Sequence, residues 1–115
     1  MTKIAKITLL LLLASSALSM DCTASKRYLD DRGQSQLKEI KLERAFDYTD
    51  AKIHADIDEA YFVFTKYDEE QFVAKITFGP DYTKGIVSTA TFDQNSRFEL
   101  VNVDGATVYK LVCTK

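Results

Sequence analysis

Apolar and polar residues alternate with a period of two along most of the chain beyond residue 60. The clearest stretch is 71–78, in which the apolar positions are Phe72, Ala74, Ile76 and Phe78. Because successive side chains of a strand point to opposite faces, this pattern predicts a strand with one buried side. Similar stretches, separated by polar turns such as Gly79-Pro80-Asp81 and Asp104-Gly105, predict an antiparallel meander of five strands. They lie at 61–65, 71–78, 86–92, 97–103 and 107–113.

Residues 23–59 allow two interpretations. Apolar residues occupy every second position in two stretches, which contain Ile40 and Leu42 and, further along, Ala51, Ile53, Ala55 and Ile57. Such alternation predicts strands. The stretch 34–46 is also rich in helix formers, so a helical structure is the alternative. The strict alternation favours strands, and Asp31-Arg32-Gly33 then forms the turn after a first strand at 23–29.

The strands predicted in this way number about eight, enough to close a small barrel and so remove the sheet edges. We therefore predict an all-β fold, either a small antiparallel meander or an up-and-down barrel, with the first strand beside the last. The alternative is an α+β fold with one or two N-terminal helices on a five-stranded antiparallel sheet. In both cases the length of 20–115 predicts a single domain.

Residues 1–19 have the composition of a secretory signal peptide. Lys3 and Lys6 precede a largely apolar stretch at 7–13, and small residues follow up to Ala17-Leu18-Ser19, which fits the small-x-small cleavage rule. The apolar stretch is shorter than the roughly twenty residues of a membrane span, and no later segment is long and apolar enough. We predict a mature chain that begins near Met20 and is periplasmic or secreted. Cleavage would leave 13 of the 15 basic residues against 17 acidic ones.

The two cysteines, Cys22 and Cys113, lie near the two ends of the predicted mature domain. An exported chain with an even number of cysteines predicts a disulfide, and only one intramolecular pairing is possible here. It would enclose nearly the whole domain and would support a barrel whose first and last strands are neighbours. Metal binding is the alternative, but two cysteines and one histidine without a close C-x-x-C pair make a poor ligand set.

The sequence contains little that predicts catalysis. Its single histidine, His54, lies on the outward side of a predicted strand with Lys52 and Asp56, and no serine occupies a nucleophile-elbow motif. The acidic clusters at 56–59 and 68–70 lack the alternating ligands and central glycine of a calcium loop. Dispersed basic residues and a net charge of −2 disfavour nucleic acid as a partner. We predict a non-enzymatic protein with no metal or other cofactor.

Two segments resemble one protein family. The segment 79–85 has the G-x-x-Y-x-x-G spacing of bacterial inhibitors of C-type lysozyme, and 106–110 with the following Cys113 is similar to their last strand. These inhibitors are small exported antiparallel β-barrels with a disulfide near their ends. In the family the G-x-x-Y loop enters the lysozyme cleft, and a nearby Lys-Gly loop assists. This chain has Phe78 where the family has Ser, and it lacks a counterpart of the family's Trp and Lys-Gly motif.

The resemblance implies that Gly79, Tyr82, Lys84 and Gly85 contact a partner. Tyr82 would be the anchor, because an aromatic ring with a polar tip suits a partly wet cleft. Lys84 would then pair with a carboxylate of the target.

Binding is therefore the expected role, with another envelope or extracellular protein as the partner. A more specific hypothesis is an inhibitor or immunity-type protein that acts on a cell-wall hydrolase. A lipocalin-like carrier of a small apolar ligand is the alternative, and it requires a hollow barrel. An exposed aromatic loop around Tyr82 would favour the protein binder, and a large enclosed apolar cavity would favour the carrier.

The predicted export can be tested by N-terminal sequencing of the protein purified from its native host. We expect the chain to begin close to Met20, because signal peptidase cuts after small residues at the positions of Ala17 and Ser19. Recovery of an intact Met1 from a cytosolic fraction would contradict the signal peptide.

Overall fold

The fold is all-β, as the sequence predicts. The computed structural model describes residues 20–44, 52–67 and 71–115, and these form nine strands and no helix. Accordingly, the described part of the chain contains no helix able to cross a membrane. In chain order the strands are β1 (Asp21–Leu29), β2 (Ser35–Lys41), β3 (Glu43–Arg44), β4 (Lys52–Ile57), β5 (Ala60–Lys66), β6 (Phe72–Phe78), β7 (Lys84–Ala90), β8 (Arg97–Asp104) and β9 (Thr107–Thr114).

The strands form two antiparallel sheets that enclose one core. The first sheet has the strand order β2-β1-β9-β8, and the second has the order β3-β4-β5-β6-β7. Only Leu42 separates β2 from β3, so the chain passes from the first sheet to the second within one extended stretch. The Leu42 N–H donates a hydrogen bond of 2.9 Å to the Cys22 carbonyl, which fixes this passage. Residues 91–96 carry the chain back from β7 to β8.

The core is built from the inward-facing residues of both sheets. The largest fully buried side chains outside the disulfide are Phe62, Phe64, Ile76 and Leu111. At one end of the core, four phenylalanine rings contact one another with centroid separations of 5.3–6.4 Å, and they are Phe64, Phe72, Phe92 and Phe98. Burial of each such side chain stabilises the fold by about 1.5–3 kcal/mol relative to exposure. The interior is therefore filled by the chain's own side chains.

The predicted barrel closure is wrong, because the two sheets remain open between β7 and β8. In the described chain β7 hydrogen-bonds to β6 and β8 to β9, and no ladder joins β7 to β8. The physical reason lies in the connecting loop. Phe92 packs against Phe98 and the core, which turns the chain across the gap and starts β8 in the other sheet. The five strands after residue 60 are therefore divided, three in the second sheet and two in the first.

The first strand lies beside the last, as predicted, and a disulfide joins them. β1 and β9 pair antiparallel, with Cys22 directly opposite Cys113. The Cys22–Cys113 bond has an S–S distance of 2.05 Å and a Cα–Cα distance of 4.1 Å, and both residues are buried. Because both thiols are used in this bond, the alternative of cysteine ligands for a metal is wrong.

In the N-terminal half, the strand interpretation is confirmed and the α+β alternative is wrong for the residues described. Ile53, Ala55 and Ile57 are buried on one side of β4, and Leu42 is buried at the passage between the sheets. Ile40 differs from the expectation because it remains 44% exposed. It lies on β2, an edge strand of the first sheet, which has a neighbouring strand along only one of its two edges.

Some predictions concern positions outside the described residues. The signal peptide at 1–19, Ala51 and the acidic cluster at 68–70 are among them. The hairpin signal at Asp104-Gly105 lies within the described part and marks the hairpin between β8 and β9, in which Asp104 pairs with Thr107 and Gly105-Ala106 form the turn.

Loss of the disulfide should destabilise the domain strongly. We expect the double variant Cys22→Ala/Cys113→Ala to lose about 4–5 kcal/mol of unfolding free energy, because a crosslink around a loop of this length restricts the unfolded chain. Urea unfolding of the variant and the oxidised wild type would measure the loss, and a reductant should shift only the wild-type curve. Two titratable thiols in the unfolded, unreduced wild type would contradict the bond.

Candidate functional site

The loop that carries the G-x-x-Y-x-x-G spacing connects β6 to β7. Within it, Tyr82 adopts a left-handed backbone conformation with φ of +59°, and its N–H donates a hydrogen bond of 2.9 Å to the Phe78 carbonyl. The Gly79 N–H donates a hydrogen bond of 2.8 Å to the Glu59 carbonyl in the neighbouring β4–β5 turn. These bonds attach the loop to the second sheet at both its start and its middle.

The Tyr82 ring folds back over Gly79 and does not project from the loop. A Cβ atom placed on Gly79 would lie 3.3 Å from both Cζ and Oη of Tyr82, so the missing side chain makes room for the ring. The ring also contacts Tyr61 edge to face, with a centroid separation of 6.1 Å. Tyr82 nevertheless stays 48% exposed, so one side of its ring faces solvent.

Tyr61 belongs to the outward-facing side of β5, and it is held in place by His54. A hydrogen bond of 3.1 Å joins Tyr61 Oη to His54 Nδ1, and the two rings meet edge to face at 5.6 Å. His54 lies outward on β4 with Lys52 and Asp56, as predicted from the alternation, because Ile53, Ala55 and Ile57 face the core.

Asp56, Tyr61 and Tyr82 line a cleft of about 360 Å³, which we call the tyrosine cleft. Asp56 lies directly opposite Tyr61 across the β4–β5 hairpin, and Tyr61 lies opposite Thr77 on β6. A neighbouring groove of about 330 Å³ continues along the same outward surface, with Tyr61 and Tyr82 at its border, and passes over Val63. Val63 is 3% exposed although it faces outward, which gives this surface an apolar floor. We call the outward surface of β4, β5 and β6 together with Tyr82 the tyrosine face.

Gly85 lies opposite Thr77 at the start of β7, and only glycine fits there. Its φ is +151°, and a Cβ atom would lie 2.1 Å from the Ile76 carbonyl oxygen and 2.7 Å from the Thr77 Cα. The two strands therefore approach each other closely at this point. This gives Gly85 a structural reason for its position, and its predicted contact with a partner stays a prediction.

The structure places three of the four residues predicted to contact a partner on or beside the tyrosine face. Gly79 and Tyr82 are in contact. Gly85 pairs with Thr77, which in turn pairs with Tyr61, so these three residues form one row across β5, β6 and β7. Lys84 is different. It pairs with Phe78, whose ring packs against Tyr109 in the core at 4.8 Å, so Lys84 starts β7 on the opposite side from the tyrosine face.

Sequence reasoning missed the contributions of Tyr61 and Asp56. Both were assigned to strands, but their proximity follows from the two-residue turn at Asp58-Glu59, which places Asp56 opposite Tyr61. A tight turn with two acidic residues is a weak hairpin signal compared with Asn-Gly or Asp-Gly. Asp56 lies two residues before Asp58 and Tyr61 lies two residues after Glu59. This equal spacing from the turn is the signal that could have identified the pair.

The β4–β5 turn beside the loop is anchored to the first sheet by charged groups. Lys26 Nζ donates hydrogen bonds to Asp58 Oδ2 at 3.0 Å and to Glu59 Oε2 at 2.9 Å. Lys38 Nζ donates to both carboxylate oxygens of Asp58, and the Tyr109 hydroxyl donates to Glu59 Oε1. Because Lys26, Lys38 and Tyr109 belong to the first sheet, these bonds tie the turn, and the loop beside it, to the opposite half of the molecule.

The same contacts shift the ionisation of the groups involved. Hydrogen bonds from Lys38 and Lys26 hold the pKa of Asp58 below its usual value. Burial opposes ionisation of Glu59, but hydrogen bonds from Tyr109 and Lys26 outweigh it and lower the pKa of Glu59. Burial likewise opposes the charge on Lys26, but the two carboxylates outweigh it and raise the pKa of Lys26. Burial and the hydrogen bond to Glu59 raise the pKa of Tyr109.

A second groove, of about 420 Å³, lies on the outward surface of the first sheet. Its floor consists of the short side chains Thr23 and Ser25, and Leu37, Glu39 and Lys110 are among its walls. It contains no aromatic ring and carries side chains of both charges. The part of the chain that the structure describes also contains no group of three or more His, Cys, Asp or Glu side chains arranged to hold a metal ion.

Comparison with known proteins gives no relative: no family model, curated protein sequence or solved structure matches this chain.

The close approach at Gly85 predicts a stability effect. We expect Gly85→Ala to lower the free energy of unfolding by more than about 3 kcal/mol, since the new methyl group would press on backbone atoms that cannot move away alone. Gly33→Ala is the matched control, because Gly33 also has a positive φ, +76°, but nothing lies within 4 Å of its Cβ position. That variant should lose only about 1 kcal/mol. Equal losses in urea unfolding would contradict the close contact.

Proposed function

We propose that this chain is a small exported, non-enzymatic binding protein that contacts another envelope or extracellular protein through its tyrosine face. The observation that carries the proposal is the half-exposed Tyr82 ring, which is braced against Tyr61 and Gly79 on a surface made of strands. Tyrosines held in one orientation are frequent anchors of protein interfaces, because they bury a large area at a small cost in conformational entropy.

The position of the surface supports binding over transport of a small ligand. A lipocalin-like carrier encloses its ligand in a hollow interior. Here Phe62, Phe64, Ile76 and Leu111 fill the space between the sheets, and the grooves lie on the outward surfaces. We therefore favour the protein binder.

A more specific form of the proposal is an inhibitor or immunity-type protein that masks a cell-wall hydrolase. Its support is the resemblance of 79–85 to the loop of the bacterial inhibitors of C-type lysozyme. Since the Tyr82 ring folds back on Gly79, the contact in this protein would be made by the ring together with Tyr61 and not by a loop inserted alone. Export is part of the proposal, and the buried disulfide is consistent with it, because such bonds persist in oxidising compartments.

The test is a binding assay with wild type and two variants as bait for an envelope extract of the native host. Once the retained protein is identified and purified, we expect Tyr82→Ala to weaken its affinity by about 2 kcal/mol or more, as for a hot-spot residue. Leu37→Ala is the matched control, since Leu37 is 45% exposed, against 48% for Tyr82, and lies on the other sheet. We expect the affinity of Leu37→Ala for the retained protein to match that of the wild type.

Melting temperatures of the three proteins complete the test. Unchanged affinity of a folded Tyr82→Ala variant would contradict the tyrosine face as the contact surface. A turbidity assay with a C-type lysozyme tests the more specific form, which predicts inhibition by the wild type. Absence of inhibition would contradict the proposed inhibition of a C-type lysozyme. The general proposal of protein binding would then be decided by the affinity measurements.

A further inference from the structure

The tyrosine cleft has the shape of a corner with two aromatic walls. The rings of Tyr61 and Tyr82 meet at an interplanar angle of 72° with their centroids 6.1 Å apart. Asp56 forms the third side, and the space of about 360 Å³ between the three residues is open to solvent. A group placed in this corner would contact the aromatic rings and lie beside Asp56.

Both aromatic walls are held in place before any ligand arrives. His54 fixes Tyr61 through the 3.1 Å hydrogen bond to its hydroxyl group. Tyr82 is fixed by its backbone hydrogen bond to Phe78 and by the contact of its ring with Gly79. Ordering a side chain at an interface has a cost in conformational entropy, and a site with fixed walls avoids much of this cost.

The carboxylate of Asp56 is available, whereas those of the adjacent turn are not. Asp58 is paired with Lys26 and Lys38, and Glu59 with Lys26. Among the described residues Asp56 is exposed and has no ion-pair partner. Three acidic residues of one hairpin thus differ in their surroundings, and the unpaired one lies beside the two tyrosines.

An exposed carboxylate and two aromatic rings together select a cation. The face of an aromatic ring is electronegative and attracts ammonium and guanidinium groups. The Asp56 carboxylate attracts a cation and repels an anion directly. A neutral apolar group in the cleft would leave this carboxylate without a counter-ion. We propose that the tyrosine cleft binds a cationic side chain, a lysine ammonium or an arginine guanidinium group, of the partner protein. This inference rests on the proposed function, in which the tyrosine face contacts a protein.

The test uses three small probes and NMR titration of the full disulfide-bonded protein. The probes are N-acetyl-lysine amide, N-acetyl-arginine amide and N-acetyl-norleucine amide, the last being the neutral analogue of lysine. We expect the two cationic probes to shift the ring resonances of Tyr61 and Tyr82, and salt above about 0.1 M should weaken the effect through screening. The norleucine probe should cause no comparable shift. The stronger of the two cationic probes identifies the preferred side chain.

Variants locate the site of binding. We expect Asp56→Asn and Tyr82→Leu each to weaken binding of the better cationic probe by about two- to fivefold, the range for an exposed ion pair and for a cation–aromatic contact at an exposed site. Glu39→Gln is the matched control, because it removes a carboxylate from the groove on the other sheet and should leave binding unchanged. Melting temperatures equal to that of the wild type show that the Asp56→Asn comparison is made on a folded protein.

The outcomes separate this inference from the proposed function. Equal shifts by the norleucine probe, or no shift by either cationic probe, would overturn the cation site. A partner affinity of Asp56→Asn equal to that of the wild type, together with a weakened affinity of Tyr82→Ala, would overturn the cation site but leave the binding surface. Conversely, unaltered partner affinity of Tyr82→Ala alongside specific shifts by the lysine probe would overturn the proposed function and leave a cation site for another ligand.

Discussion

The pairing of β1 with β9 is the contact on which the first sheet depends. Without it the sheet would separate into two hairpins, β1–β2 and β8–β9, and an isolated two-stranded hairpin is marginally stable in water. The Cys22–Cys113 bond lies within this pairing, and both sulfur atoms are packed in the core with Ala24 and Leu111. The second sheet depends on it in turn, because the first sheet covers the inward side of β4, β5 and β6.

Local patterns in the sequence determine much of this architecture. The alternation at 71–78 identifies β6 because one side of that strand is buried and the other is not, and the turn at Asp104-Gly105 identifies the last hairpin. The neighbouring position of the first and last strands could be predicted from the two cysteines. The open side between β7 and β8 could not, because it depends on how Phe92 packs in three dimensions and not on any periodicity. Ile40 and Leu42 belong to the same alternating stretch, but Ile40 is exposed and Leu42 is buried. The difference comes from their positions in the fold, which the alternation does not contain.

The candidate site was predictable in part for a related reason. The spacing of Gly79, Tyr82 and Gly85 is visible in one short segment. Tyr61 and Asp56 reach the same place through a hairpin, and their side chains join Tyr82 only because β5 pairs with β6 next to the loop. The alternation correctly placed Asp56 and His54 outward, but it carries no information about which outward residues become neighbours. Sheet register supplies that information, and register follows from turns and core packing.

The covalent link between the ends of the domain has a consequence for its survival among proteases. Cys22 and Cys113 are 91 positions apart, so the disulfide makes the domain a closed covalent ring. The turn at 31–33 and the loop at 93–96 are both exposed and lie inside that ring. A single cut in either one opens the ring without releasing a fragment, and the strands on both sides of the cut stay joined through the sulfur atoms. Two cuts inside the ring are needed before any piece of it can leave.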